Sequence, residues 1–439
     1  MMPPPDFPFD AVLFDLDGTL VATDRFWPEA ARIGAKRAFA ELGLERALPT
    51  RDEWMSMVGY AIEDGFANVF PDLSRADRAR VMACCLAEED SALRAGRAAT
   101  LPGVRDALTD LRARGVRLGI ASNCGQSYLD TMMHELGLDR WFEEGRCLDS
   151  PGALDKAGML ADLLLTFGTR SAVMVGDRRG DRDAAWANGL PHVHLARGYA
   201  GTGERIECEA TIEGMDELVP RLLGRADWIR GALARLDPAA EARSIGITGR
   251  TGSGKSLFAR DLVRSLVAAG RPAALCALDD FLRPLAEREA DGPDASEGPG
   301  GPECPLGRAF DIDALEADVL APHARGEAVE LERAAGERQG SGTRRARVHI
   351  PAGATLVLEG PCLAHPRLRP RIDRVLYLDV PRETLVRRIA GRAARPHGPG
   401  QPGGGRTHEL PAQAAFEALS PVPEGVDLVL SAQNALGPA

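Results

Sequence analysis

Eight short, mostly apolar runs recur along the chain, and they restrict its fold more than any other feature. They are Ala11–Phe14, Val116–Ala121, Ala172–Val175, Ser244–Ile247, Ala273–Leu278, Thr355–Leu358, Arg374–Leu378 and Asp427–Leu430. None alternates apolar with polar residues as a half-exposed strand does. Near-continuous runs of this length suit strands buried on both faces of a parallel sheet, where helices cover each side. Helical spacing fills intervals between them, at Val104–Arg114, Leu257–Ala269 and Thr384–Ala390. Strand–helix alternation in both halves predicts an α/β chain of two parallel-sheet, three-layer domains. At 439 residues the chain is also too long for one hydrophobic core.

Residues 21–98 interrupt the first half with helical spacing throughout and breaks at Gly43, Gly65 and Pro71, so they read as a helical insertion after the first strand. The halves part within 220–243, where Asp227–Leu236 reads as helix and Asp237-Pro238 as a break. The expected organisation is a first domain over 1–222 (core 9–20 and 99–222, cap 21–98), a linker over 223–243, a second domain over 244–432 and a tail over 433–439. Stretches 291–307 and 396–405 are rich in Gly and Pro and read as loops or lids. A net charge of −11 argues against a nucleic-acid partner. No apolar run is long enough to span a bilayer, and Met1–Phe9 lacks a signal pattern, so no membrane partner is expected. The eight cysteines form no CxxC pair and read as reduced thiols of a cytoplasmic protein.

Four pieces of the first half carry chemistry. Asp15-Leu16-Asp17-Gly18-Thr19 follows the first strand; two carboxylates face one pocket if Gly18 turns the chain, one able to attack phosphorus and the other to move protons. Ser122-Asn123 follows the strand ending at Ala121, where a hydroxyl and backbone N–H groups can hold phosphate oxygens. Lys156 is one of only three lysines among 53 basic residues, a rarity that marks a site needing a compact ammonium, here a clamp on the phosphoryl group. Asp177 and Asp181 follow the strand Ala172–Val175 and are hard oxygen donors of the kind Mg²⁺ prefers. Alone, each piece is also at home at a turn or helix cap. Together they fall at strand carboxyl ends, where open α/β sheets place ligands.

Residues 9–222 resemble the haloacid dehalogenase superfamily, in its phosphoglycolate-phosphatase-like branch with a helical cap. Leu101-Pro102-Gly103-Val104 and the Ala-rich stretch Ala184–Gly189 share in that likeness. The resemblance implies a HAD-like Rossmann-type domain in which Asp15 is a nucleophile forming an aspartyl-phosphate and Asp17 the general acid/base. It further implies that Asp15, the Asp17 carbonyl, Asp177 and Asp181 serve Mg²⁺, while Ser122, Asn123 and Lys156 bind phosphate. A small phosphorylated metabolite is the expected substrate. The proline often found just after this lysine is missing.

The second half opens on Ser244–Ile247, then Gly249-Arg250-Thr251-Gly252-Ser253-Gly254-Lys255-Ser256, then helical spacing from Leu257. Glycines let backbone N–H groups face phosphates, Lys255 reaches the β/γ-phosphates and Ser256 offers a hydroxyl to Mg²⁺. Asp279 and Glu359 follow strands and are candidate acids for proton transfer or Mg²⁺, and Arg387, Arg388, Arg392 and Arg395 lie at and after a helix. Residues 243–432 resemble the uridine kinase–phosphoribulokinase branch of P-loop kinases, through the loop, Asp279-Asp280-Phe281, Arg308–Asp311, Leu358-Glu359-Gly360 and Asp379-Val380-Pro381. That likeness implies a P-loop kinase domain with ATP held by Gly249–Ser256, Asp279 as catalytic base, Glu359 at the Mg²⁺ or acceptor site, and Arg388 and Arg392 as lid arginines. A small hydroxyl-bearing acceptor is implied, but Glu330–Gly336 lacks the Tyr and His of uridine kinases. The expectation is a bifunctional phosphatase–kinase. Its alternatives are a phosphatase regulated by an inactive ATP-binding module, and a phosphomutase.

Overall fold

The computed structural model describes residues 7–152, 155–201, 204, 206–284, 287, 306–336, 343–393, 422–432 and 436, with the side chains of 308 and 391–393 excepted. Contacts divide the chain into two compact units, meeting in sequence between Leu222 and Leu223. No helix among the described residues is long and apolar enough to cross a membrane.

The first unit is built on a six-stranded sheet in the order β3-β2-β1-β4-β5-β6. Its strands are β1 (Ala11–Phe14), β2 (Arg117–Ala121), β3 (Glu144–Arg146), β4 (Ala172–Gly176), β5 (His192–Leu195) and β6 (Ala210–Ile212). All neighbours pair in parallel. Phe14 pairs with Ile120 on one side and Val175 on the other, so β1, β2 and β4 end side by side. Every residue of β1 and β4 is buried, as continuous apolar runs demand. Helix α7 (Lys156–Thr166) packs Met159, Leu160 and Leu163 on Leu13 and Met174 of the sheet. Its N-cap is Asp155, whose carboxylate accepts from Gly158 N at 2.7 Å.

The cap consists of α1 (Trp27–Leu42), α2 (Arg51–Ser56), α3 (Ile62–Val69) and α4 (Arg75–Arg94). Gly65, read as a break, lies inside α3, because it packs against Met57 where a Cβ would come within 2.9 Å. Helices α1 and α4 touch backbone to backbone at Gly34, where a Cβ would sit 2.5 Å from Cys85 Cα. Thr50 caps α2 in a reciprocal box with Glu53. Trp27, Trp54, Phe66 and Phe70 form an edge-to-face cluster between the cap helices.

The second unit holds a five-stranded parallel sheet in the order β13-β12-β7-β11-β8. Here β7 is Ser244–Gly249, β8 Ala273–Ala277, β11 Thr355–Glu359, β12 Arg374–Asp379 and β13 Leu428–Ser431. A separate antiparallel pair, β9 (Val329–Gly336) with β10 (Thr343–Ile350), occupies the stretch singled out for lacking Tyr and His. The segment 223–243, read as a linker, is helical as far as Leu236, within Leu218–Leu236, and packs Ile229, Ala232 and Leu236 into this unit's core. Among the described residues six cysteines are free thiols, but Cys362 is disulfide-bonded, contrary to the expectation that all are reduced. Of the loop expected at 291–307, residues 306–307 open a short helix, Leu306–Ala309, while its remainder, the loop expected at 396–405, Arg395 and most of the tail lie outside the described residues.

Candidate active site

The first site forms where β1, β2 and β4 end. Asp15 N donates to Val175 O at 2.9 Å, which continues the ladder one residue beyond β1. The chain then turns: Gly18 has φ +81°, and the Leu16 carbonyl accepts from the amides of Thr19, Leu20 and Val21. Asp15 and Asp17, at the start of this turn, line one cavity.

Lys156, the first residue of α7, reaches back beneath the strand ends. Its Nζ donates to Asp15 Oδ1 and to Asp181 Oδ1, each at 2.6 Å, with Lys156, Asp15 and Asp181 all buried. Asp181 also accepts from Arg178 N at 2.9 Å. Asp177 accepts from Thr19 Oγ1 at 3.4 Å and from the Tyr199 amide. Asp15, Asp177 and Asp181 each offer an oxygen, and those atoms lie within 4.8 Å of one another. Asp15 Oδ2 is buried with no hydrogen-bond partner.

Burial pushes Asp15 up to about 7, with Asp181 and Asp17 adding to the rise and Lys156 opposing it. Burial likewise holds Asp177 well above the usual carboxylate range. Burial disfavours the Lys156 ammonium, yet Asp15 and Asp181 outweigh it and hold its pKa above the ordinary value. Three carboxylates against one ammonium leave two uncompensated negative charges when all are ionised. A divalent cation with a taste for hard oxygens fits this donor set and would neutralise it.

Asp17 stands apart from that cluster. Burial raises its pKa, opposed by hydrogen bonds donated from Thr23 Oγ1 at 2.6 Å and Tyr128 OH at 2.7 Å. Ser122 is buried at the end of β2. Asn123 Nδ2 donates to Gly59 O of the cap at 3.0 Å. Arg178 Nη1 donates to Val58 O of the same cap segment and to Tyr199 O. Core and cap together enclose a cavity of about 330 Å³ over Asp15 and Asp17.

All six first-half residues singled out for reactive or clamping roles converge here: Asp15, Asp17, Ser122, Lys156, Asp177 and Asp181. Trp27 lines the cavity, whereas Trp54 is 1% exposed and packs inside the cap. Sequence reasoning missed Thr23, Tyr128, Gly198, Tyr199 and the cap carboxyl Glu89. A Cβ on Gly198 would stand 2.1 Å from Asp177 Cβ, so only glycine lets that loop close over the acid. One signal was available: the chain has four tyrosines, and Tyr60, Tyr128 and Tyr199 all lie at this site.

In the second unit, residues 249–256 curl between β7 and the helix α10, Lys255–Ala268. Gly252 and Gly254 take φ +82° and +89°. Lys255 Nζ donates to Arg250 O at 3.0 Å, Ser256 Oγ to Glu359 Oε1 at 2.9 Å, and Arg388 Nη1 to Gly252 O at 3.1 Å. Ser253 Oγ is buried and unpartnered among the described residues. Thr251 belongs to the same loop, and Asp279 lies in a 3₁₀ turn after β8, beside Asp280, which pairs with Arg344 at 2.7 Å. The Arg392 side chain lies outside the described residues.

The capped parallel sheet and its acidic cluster define a class, and comparison agrees: residues 12–194 match the haloacid dehalogenase-like hydrolase family. The chain belongs to that family. Among its relatives is the plasmid-borne phosphoglycolate phosphatase of Cupriavidus necator, 31% identical over 244 residues, which covers 53% of this chain and 97% of that protein. The phosphoglycolate phosphatase of Pseudomonas putida is 29% identical over 251 residues, covering 54% of this chain and 89% of that one. A solved haloacid dehalogenase-like hydrolase from Streptococcus pneumoniae superposes with a TM-score of 0.43 at 22% identity, over 48% of this chain and 98% of its own. Each of these accounts for about half of the present chain.

Proposed function

We propose that the first unit is a phosphatase that hydrolyses a small organic phosphate monoester through an aspartyl-phosphate on Asp15. One observation carries this reading: a buried lysine grips one oxygen of Asp15 while the other has no partner. Lys156 thus orients the carboxylate and leaves Oδ2 to attack phosphorus. Asp17, held by Thr23 and Tyr128, would protonate the departing alkoxide and then take a proton from the water that releases phosphate. Ser122 and Asn123 would hold phosphoryl oxygens at the end of β2. Asp15, Asp177, Asp181 and the Asp17 carbonyl would hold Mg²⁺. Bound there, the ion would offset repulsion between the carboxylate and the anionic ester. Phosphoglycolate, the substrate in the relatives' names, is an ester of this size class. Phosphate release from an aryl phosphate, with Mg²⁺ present, tests the reading; an Asp15→Asn variant that retains wild-type rates would defeat it. Phosphate recovered on another carbon of the substrate would point instead to a mutase.

A second proposal concerns the other unit, and rests on the curled loop 249–256 with Ser256 hydrogen-bonded to Glu359. We infer that this loop binds ATP with Mg²⁺, Lys255 and the backbone of Gly249–Ser256 cradling the phosphates and Ser256 and Glu359 serving the ion. Arg388 and Arg392 would close on the transferring phosphoryl group, and Asp279 would accept a proton from a small hydroxyl-bearing acceptor. Calorimetry with ATP on wild type and Lys255→Ala decides binding, and transfer to a metabolite panel decides catalysis. ATP binding without transfer, joined to an ATP effect on phosphate release, would assign the unit a regulatory role. Failure of wild type to bind ATP would end both versions.

A further inference from the structure

Above Asp15 and Asp17 the cavity is lined by apolar, polar and acidic residues. Its apolar walls include Trp27, Ile62, Leu86 and Leu93, and its charged lining beyond Asp15 and Asp17 is Glu89, Asp90 and Asp149. Among the described residues lining it there is no Arg, Lys or His. The nearby cations are engaged elsewhere: Lys156 with Asp15 and Asp181, Arg178 with two cap and loop carbonyls and with Glu204.

Glu89 is the unusual member. It lies on α4, is 8% exposed, and faces the cavity with no hydrogen bond to any described residue. Asp90 pairs with Arg94 at 2.8 Å, and Asp149 accepts from Gln126 N at 2.8 Å. A buried carboxyl without a partner is costly, and it is retained most cheaply where a ligand supplies the missing donor.

We infer that the substrate's leaving group carries O–H or N–H donors and no negative charge, and that Glu89 selects it. This rests on the phosphatase reading and narrows its substrate class. A carboxylate-bearing leaving group, as in phosphoglycolate, would enter a cavity lined by acids with no cation to receive it, and like charges so placed cost several kcal/mol. A hydroxylated or amine-bearing alcohol meets an acceptor instead. Burial pushes the Glu89 carboxyl up to about 8, with Asp17 and Asp90 adding to the rise, so the anion that accepts from a donor and repels a carboxylate is the dominant form above pH 8, and a donor that pairs with it draws the proton off at lower pH. The volume, about 330 Å³, also exceeds what a two-carbon acid fills.

The test uses the full chain with Mg²⁺ at pH 9, where the Glu89 carboxyl is ionised, and four esters: an aryl phosphate, phosphoglycolate, a hexose monophosphate and an amino-alcohol monophosphate. The aryl ester reports the hydrolytic site itself. We expect kcat/KM for the hexose or the amino-alcohol ester to exceed that for phosphoglycolate by about tenfold or more. A preference for the amine assigns charge pairing, and a preference for the sugar assigns hydroxyl recognition. In Glu89→Gln that ratio should fall by roughly tenfold, mainly through KM, since glutamine keeps the shape and loses the charge. Phosphoglycolate as the best substrate of wild type would overturn the inference while leaving the phosphatase reading intact. So would an unchanged ratio in folded Glu89→Gln. No hydrolysis of the aryl ester would remove the reading and the inference together.

Discussion

Replacing Lys156 with methionine isolates the interaction on which the first site stands. The ammonium is 7% exposed and contacts two buried carboxylates at 2.6 Å each. At an effective dielectric of about 20, each contact is worth roughly 6 kcal/mol of gross attraction. Burying the ammonium costs several kcal/mol in return, so the pairs contribute far less than their sum. Removing the lysine alone recovers that cost but strands Asp15 and Asp181, and a stranded buried charge costs about 3–5 kcal/mol. The expected loss is therefore of that order at pH 8 in EDTA. Hydrogen exchange at the amides of β1 and β4 reports it for this unit alone, as a fall in protection of about two to four orders of magnitude.

The sign with pH follows from the carboxyls. Asp15 already sits at about 7 against an ordinary value of 3.8, so its protonated form is favoured on folding. Stability tied to it is whole below pH 4 and is lost as pH rises through 7. Without Lys156 the Asp15 carboxyl rises further, so the variant's deficit should be large at pH 8 and shrink steadily toward pH 5. Divalent cation should narrow the deficit at pH 8, because it supplies the missing positive charge. Equal protection in wild type and Lys156→Met at pH 8 in EDTA would refute the reasoning, as would a deficit that grows on acidification.

Three further outcomes are expected. Asp15→Asn should abolish phosphate release, measured as free phosphate over hours, while Lys255→Ala leaves it within about twofold, because the two residues belong to separate units. Gly34→Ala should destabilise the cap by about 1–3 kcal/mol, where an ordinary helical Gly→Ala gains about 1 kcal/mol, since the new Cβ meets Cys85 Cα at 2.5 Å; denaturant melts of the two proteins give the sign. Tyr128→Phe should lower kcat about tenfold with little change in KM, because the lost hydroxyl positions Asp17 rather than the ester; a change confined to KM would place Tyr128 on the substrate instead.

What the sequence disclosed and what it hid divide along a physical line. Strands inside a parallel sheet are apolar at nearly every position, so β1, β2, β4, β7, β11 and β12 were visible, and the edge strands β8 and β13, only partly buried, keep enough apolar residues to be read as well, all within a residue or two at their ends. Strands β3 and β6 lie toward or at a sheet edge and have three residues each, Glu-Gly-Arg and Ala-Thr-Ile, with no such signature. The antiparallel pair β9 and β10 carries charges on its exposed faces and has only a partial alternation to show. Residues that act from a strand end were legible because strand and turn fix their address in sequence. Glu89 and Tyr128 sit within helices, where nothing local separates a site residue from a surface one, and only the fold brings them to Asp17.

Lysine usage shows how far composition alone can reach. Lys36 is exposed, while Lys156 and Lys255 are each 7% exposed. An arginine at 156 would present a planar fork to two carboxylate oxygens, one just after β1 and one in the helix Arg179–Ala187, each already 2.6 Å from one nitrogen. Such a fork matches one carboxylate side-on, whereas an ammonium donates in three directions from a point. The geometry around Asp15 and Asp181 therefore selects the smaller cation. In a chain that otherwise takes arginine, a lysine of this kind marks the place where converging acceptors leave no room for the larger group, and Lys156→Arg should fail for that reason even though it conserves charge.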